Sequence, residues 1–313
     1  MKALGVQRFG SKDELTELEV THPTVNEDAV IVEQYATSVN PLDFKLREGK
    51  KPDLDFPVVL GSDISGIIVE KGENVTNFSI GDRVFGVTAK SPGSTYAAYV
   101  SVPQDQIFRS PVNAGFLEAA ALPLAGVTAL QNLQDRMQLT DKDRLLVIGG
   151  AGGVGLFAIQ IAKHLGATVT AVGSSDSQQL MKDAGADEVI DYEQQPVHTL
   201  SKTFTAIFDC VGGSSQDELF PLLERDGCLL SIARDPSEQL AKKHTVTAAF
   251  TAISPSQSLL SKLCALYESE TLTVHISETF PFTERGVQDA HEKIEKGHTK
   301  GKLVMKIQED EER

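Results

Sequence analysis

The sequence predicts an α/β chain of two domains, one rich in β-strands and one doubly wound around a parallel sheet. Three observations lead there. The chain has 313 residues, too many for one average domain and enough to bury two cores. Its first hundred or so residues carry short β-like runs punctuated by Gly, Pro, Asn and Asp. From Asp143 onward, strand patterns alternate with helical patterns that end in Gly, which implies right-handed βαβ crossovers and a sheet covered on both faces.

Taken in order, strands are expected over 28–36, 63–72, 82–88 and 95–103. A longer helical pattern follows over 114–134. DRLLVIG (143–149) reads as a strand, GVGLFAIQIAKHLG (153–166) as a helix stopped by Gly166, and TVTAVG (168–173) as the next strand. QQLMKDAG (178–185) is a short helix, EVID (188–191) and TAIFDCVG (205–212) are strands, and SQDELFPLLERDG (215–227) is expected as a helix with Ser214 or Ser215 as N-cap and Gly227 as C-cap. CLLSIA (228–233) and TVTAAFTAI (245–253) add two strands. A helix after Ser254, the stretch VHISETFPF, the helix TERGVQDAHEKIEKG and the strand GKLVMKI complete an α+β tail.

Composition narrows the function classes. A formal charge of −15 and a pI near 4.9 argue against a nucleic-acid surface, which needs clustered Lys and Arg. Cys210, Cys228 and Cys264 lie far apart without CxxC spacing, so neither a disulfide framework nor a thiolate metal cluster is expected, and a reducing cytoplasm fits. No signal-like or membrane-spanning apolar run is present, and no membrane partner is expected.

Gly150-Ala151-Gly152-Gly153-Val154-Gly155 satisfies GxGxxG between a strand and a helix, the setting in which the motif binds a dinucleotide. Gly150 is expected to allow the tight turn, Gly152 to let the backbone approach a pyrophosphate, and Gly155 to let the helix lie close to the strand. The second strand ends not in the acid that would hold an NAD ribose but in Gly173, followed by Ser174, Ser175, Asp176 and Ser177. A glycine there leaves room for a 2′-phosphate to which the serines can donate, which favours NADP(H); alternatively, GSSDS is only a helix cap.

TSVNPLDFKLREG (37–49), FPVVLGSDISGIIVEKGENVTNFSIGDRVFG (56–86), YAAYVSVP (96–103) and AALPLAGVTALQNL (120–133) precede GGAGGVG in a characteristic order. The chain resembles the medium-chain dehydrogenase/reductase superfamily, and within it the zinc-independent quinone oxidoreductases related to zeta-crystallin, over nearly its whole length to GHTKGKLVMKI (297–307). The resemblance implies a GroES-like catalytic domain (1–121), a Rossmann nucleotide-binding domain (122–268) and a return to the catalytic domain (269–313). It also implies hydride transfer from NADPH and a homodimer. Asn40, in Asn-Pro-x-Asp, is expected to position the nicotinamide or the substrate oxygen, or else only to form a turn. Asp43 braces that loop. Lys45 is a donor or a surface lysine, and Thr128 faces the nicotinamide or bonds its own helix. Tyr192 lies near the adenine or is a strand-end tyrosine, while Val211 and Gly212 pass beneath the nicotinamide ribose.

Zinc-dependent members carry Cys near the position of Asn40, Gly-His-Glu where this chain has Gly61-Ser62-Asp63, and a four-cysteine lobe where VTAKSPGSTY runs straight through. No metal is therefore expected. Without a Lewis acid, the favoured chemistry is reduction of an already electrophilic quinone or α,β-unsaturated carbonyl. The alternative is a catalytically vestigial NADP(H)-binding redox sensor or scaffold.

Overall fold

The computed structural model describes residues 1–88, 93–201 and 203–309; residues 89–92, inside the stretch where no cysteine lobe is inserted, lie outside it. The chain divides into two compact units. Unit 1 comprises Met1–Leu124, Ser254–Glu268 and Val274–Arg313, and unit 2 comprises Ala125–Ile253 and Ser269–Thr273.

The first segment of unit 1 holds β1 (Lys2–Val6), β2 (Thr16–Glu19), β3 (Ala29–Val39), α1 (Pro41–Arg47), β4 (Val58–Val59), β5 (Asp63–Lys71), β6 (Arg83–Val87), β7 (Tyr99–Pro103), β8 (Ile107–Arg109) and α2 (Phe116–Ala121). The helix expected over 114–134 is broken. Pro123 cannot continue the ladder of α2, so α3 (Pro123–Leu130) starts afresh and runs on into a π-helical turn, Gln131–Arg136.

Unit 2 continues with β9 (Arg144–Ile148), α4 (Gly153–His164), β10 (Thr168–Gly173), α5 (Gln178–Asp183), β11 (Glu188–Asp191), β12 (Phe204–Asp209), β13 (Leu223–Ser231), α6 (Glu238–His244) and β14 (Thr247–Phe250). Its six strands are parallel in the order β11-β10-β9-β12-β13-β14. Numbered within the unit this is 3-2-1-4-5-6, the Rossmann order, whose ligand crevice lies outside the carboxyl ends of the strands where the order reverses, here between β9 and β12. Leu146, Val172, Ile190, Ile207, Leu219 and Leu229 form a core on this sheet.

The segment 215–227 departs from the expected helix. A 3-10 turn spans Ser214–Leu222 with Gly213, not a serine, at its N-cap. Pro221 removes a backbone donor, and Leu223 already pairs with Phe204 in β13. The register of that pair is irregular before Cys228, and positive φ falls on Asp226 while Gly227 lies within the strand.

α7 (Gln257–Glu268), expected in the nucleotide-binding domain, packs instead in unit 1. Glu268 accepts from Val112 N at 3.0 Å, and Cys264 Sγ contacts Arg109 O at 3.8 Å. β15 (Ile276–Pro281), α8 (Glu284–Glu295) and β16 (Lys302–Lys306) complete unit 1. β16 pairs antiparallel with β3, matching Leu303 to Val39, in a seven-stranded sheet ordered β15-β16-β3-β5-β6-β8 with β7 also on β3. β2-β1-β4 form a second, three-stranded sheet. This β-rich architecture is the GroES-like unit.

Candidate functional site

In unit 2 the glycine corner joins β9 to α4. Positive φ is needed at Gly149 (+77°), so the tight turn rests there and not on Gly150 as the motif suggested. Gly150 is instead a packing glycine, because a Cβ on it would come within 2.9 Å of Ala171 Cβ and Met181 Sδ. At Gly155 a Cβ would lie 2.2 Å from Gly149 O, so the absence of a side chain lets α4 close onto the turn.

Gly152 differs from both. A Cβ there would touch only Gly149 O at 3.4 Å, an ordinary contact, so the fold itself tolerates a side chain at this N-cap. No side chain caps α4 and no acid occupies its first turn. Ala151, Gly153 and Val154 complete a corner whose backbone N–H groups and helix-dipole end suit an anion, and a dinucleotide pyrophosphate fits this donor set.

At the end of β10, a Cβ on Gly173 would meet Met181 Cε at 2.5 Å and Ser177 Oγ at 2.6 Å, so the side chains of α5 and the serine turn pack closely on this glycine. Ser177 is buried and donates to Ser174 O at 2.8 Å. Ser174 donates to Asp176 at 2.7 Å, and Ser175 donates to Asp191 and, at 3.0 Å, to Glu193. The three hydroxyls are thus engaged with acceptors of the chain itself. Tyr192 follows Asp191 at the end of β11 and is 37% exposed, and its N–H donates to Gly173 O at 3.2 Å.

The loop after β12 packs against the glycine corner, where a Cβ on Gly149 would meet Val211 Cγ2 at 2.7 Å. Asp209, not singled out from the sequence, builds this loop. Its buried carboxylate accepts from Val211 N at 3.0 Å, Gly212 N at 2.9 Å, Gln216 Nε2 at 2.8 Å and Ser231 Oγ at 2.9 Å. Val211 is left exposed. Thr128, on α3, is buried, and its carbonyl accepts from Asn132 at 2.7 Å.

In unit 1, β3 delivers Asn40 to the N-terminus of α1, where Asp43 Oδ2 accepts from Asn40 N at 2.8 Å and from Tyr96 Oη at 2.9 Å. Asn40 Nδ2 donates to Asp63 Oδ2 at 2.8 Å and to Ser38 Oγ at 3.3 Å, and Lys302 Nζ donates to Asn40 Oδ1 at 2.6 Å. Asp63 also accepts from Leu124 N at 2.7 Å and from Ser38 Oγ. Burial raises the Asp43 carboxyl to about 7 despite its two hydrogen bonds, and burial lowers the Lys302 ammonium against the pull of Asp63 and Asp43. Lys45 is half-buried on α1, and desolvation, then Lys50, lowers its pKa. Asp63 and Lys302 were not legible as partners of Asn40, nor Tyr96 as a donor to Asp43. The β3–β16 and β3–β5 pairings bring Lys302 and Asp63 to Asn40, and backbone hydrogen bonds of Tyr96 to Leu4 and Leu60 place its ring.

Ser62 is buried beside Asp63. Among the described residues, no three His, Cys, Asp or Glu side chains are grouped to hold a metal ion, and no helix is long and apolar enough to cross a membrane.

Residues 26–112 match the model of the alcohol dehydrogenase GroES-like domain, and residues 184–305 match that of the zinc-binding dehydrogenase. The chain is 33% identical to 2-methylene-furan-3-one reductase of Solanum lycopersicum, over 97% of this chain and 79% of that protein. It is 31% identical to the chloroplastic NADPH-dependent alkenal/one oxidoreductase of Arabidopsis thaliana, over the same shares of each. The solved quinone oxidoreductase of Coxiella burnetii superposes with a TM-score of 0.91 at 33% identity, covering 98% of this chain and 99% of that one.

Proposed function

The chain belongs to the medium-chain dehydrogenase/reductase superfamily as an NAD(P)H oxidoreductase with quinone and enone reductase homologues, and from that premise we propose that it reduces a quinone or an α,β-unsaturated carbonyl with NADPH and without zinc. The observation that carries the cofactor half of this reading is Gly152, a glycine that its own fold does not require, at the uncapped start of α4. In this reading Gly150 to Gly155 hold the pyrophosphate, the loop Val211-Gly212 supports the ribose, and Tyr192 lies by the adenine.

When bound, the nicotinamide supplies a hydride. Reduction of an enone or quinone leaves charge on the acceptor oxygen, and a donor must steady it. The Asn40 amide has both N–H bonds directed at Asp63 and Ser38, so Asn40 acts through the remaining lone pair of Oδ1, as an acceptor that orients the nicotinamide amide. Lys45, whose desolvation makes its proton easier to give up, serves as the donor to the acceptor oxygen. Asp43 holds the start of α1, and Thr128 lines the nicotinamide face.

The names of relatives and the absence of an acid at Gly173 support NADPH over NADH. Ser174, Ser175 and Ser177 must give up present acceptors to meet a phosphate, so the preference is modest, about tenfold in kcat/KM or roughly 1.4 kcal/mol. Zinc independence is supported by the amide at Asn40 and the hydroxyl at Ser62. A cytoplasmic location is supported by three free thiols, all of which burial pushes up. A homodimer is supported by the edge strand β14 with exposed Phe250, and sedimentation tests it.

The deciding experiment is turnover of NADPH and NADH against a panel of quinones and enones, with and without EDTA, alongside zinc analysis. Turnover insensitive to EDTA is expected. Cofactor binding without turnover of any acceptor would instead support the vestigial sensor, and loss of activity on chelation would end the zinc-independent reading.

A further inference from the structure

Lys302 is a lysine with only 5% of its surface exposed, an unusual burial for an ammonium unless it is paired. It begins β16, one residue before the Leu303–Val39 pair, and so stands directly across from Asn40, the residue after Val39. Its Nζ donates to Asn40 Oδ1 at 2.6 Å, while Asp63 Oδ2 is 3.9 Å away. Asp63 Oδ2 in turn accepts from Asn40 Nδ2 at 2.8 Å. A cation faces the oxygen end of the amide and an anion faces its nitrogen end.

An asparagine amide can sit in either of two flipped orientations of nearly equal shape, and its hydrogen-bond partners select between them. Here the flipped form would set an NH₂ group against an ammonium and a carbonyl oxygen against a carboxylate. Asp63 is also tied to Leu124 N and Ser38 Oγ, and Lys302 is tied to the sheet through its N–H to His275 O at 2.9 Å. The charge pair that chooses the orientation is therefore anchored on three strands and does not depend on the amide.

We propose that Lys302 is a positioning residue, holding the Asn40 amide with Oδ1 towards its ammonium and Nδ2 towards Asp63, the orientation the reduction uses. This rests on the role given to Asn40 above. Lys302 acts on the reaction through Asn40, and the cofactor is held by a different unit of the chain. Its loss therefore lowers kcat and leaves the binding of NADPH nearly unchanged.

The test is a double-mutant cycle in the full-length protein, with NADPH binding, kcat, KM and melting temperature measured for Lys302→Met, Lys302→Arg, Asn40→Ala and the pair Lys302→Met with Asn40→Ala. Lys302→Met is expected to lower kcat by about tenfold or more with NADPH affinity within about threefold, Lys302→Arg to restore part of it, and Lys302→Met to add less than about twofold once Asn40 is Ala. If removing one charge of the pair prevents folding, the double variant Lys302→Gln with Asp63→Asn leaves no uncompensated charge and is expected to show the same loss of kcat. Wild-type kcat in a folded Lys302 variant, or an undiminished effect in the Asn40→Ala background, overturns the proposal. Full activity in Asn40→Ala overturns the role of Asn40 itself, whereas impaired Asn40→Ala beside normal Lys302→Met overturns only the present inference.

Discussion

Asp43 carries one carboxylate oxygen, Oδ2, that accepts from Asn40 N and Tyr96 Oη, and a second, Oδ1, that is buried without a partner. Half of a charge is thus solvated by the protein and half is not, and burial accordingly raises the carboxyl to about 7. The folded chain keeps a proton here that the unfolded chain releases near pH 4. Stability therefore falls as pH rises from about 4 to 7, by up to roughly 4 kcal/mol for this group. Asp43→Asn, which keeps an acceptor for both donors and never ionises, is expected to flatten that decline and to exceed the wild type in stability at pH 8. Urea unfolding between pH 5 and 8 measures it, and parallel curves for the two proteins would refute the assignment. Asn40 and Asp43 were visible in the sequence because Asn-Pro-x-Asp is a local signal. Lys302 was not, since it lies 262 residues from Asn40 in sequence and only strand pairing joins them.

The strand–loop–helix element formed by β9 and α4 gives glycines of one motif different duties. At Gly155 an added Cβ would strike the backbone of Gly149 and Gly150, which cannot move aside as a flexible side chain would. Gly155→Ala is therefore expected to cost about 3 kcal/mol or more and to lower the melting temperature. At Gly152 the nearest atom is at 3.4 Å and φ is −72°, so Gly152→Val is expected to fold with a loss of about 1 kcal/mol or less while losing NADPH binding. Calorimetric titration with NADPH beside thermal melts separates the two. Retained affinity in Gly152→Val would move the cofactor away from this corner. The motif was legible as an element because a strand precedes it and a helix follows. The duty of each glycine was not, since positive φ falls on Gly149, outside the pattern. The helix expected over 215–227 failed for a related reason. Its apolar spacing was adequate, but Pro221 and pairing of Leu223 with Phe204 draw the chain into β13.

At the scale of the whole chain, unit 1 is assembled from segments separated by the nucleotide-binding fold. The alternation of strands and helices made the parallel sheet of unit 2 readable, because each βαβ step is local. The return of the tail to the β-rich unit was expected, but α7 was assigned to the other unit. A helix's apolar stripe says that it packs and not against what, and its attachment to β8 and the loop after it depends on contacts such as Cys264 Sγ with Arg109 O and Glu268 with Val112 N. The same discontinuity yields a prediction. Phe280, Phe282, Val287, Leu303 and Met305 share one core with Leu4, Leu15, Leu46 and Tyr96. Val304 joins a second core with Ala36 and Phe116. At about 1.5–3 kcal/mol for each large apolar side chain buried, the tail contributes an amount comparable to the whole stability of a domain, about 5–15 kcal/mol. β3 would also lose its antiparallel partner β16 and expose an unpaired edge. The fragment 1–124 alone is expected to lack a cooperative unfolding transition. Joined through a flexible linker to residues 254–309, without residues 125–253 of unit 2, the same segment is expected to regain one. Denaturant titration followed by near-ultraviolet circular dichroism distinguishes the two, and cooperative unfolding of 1–124 alone would show that the tail decorates a completed core.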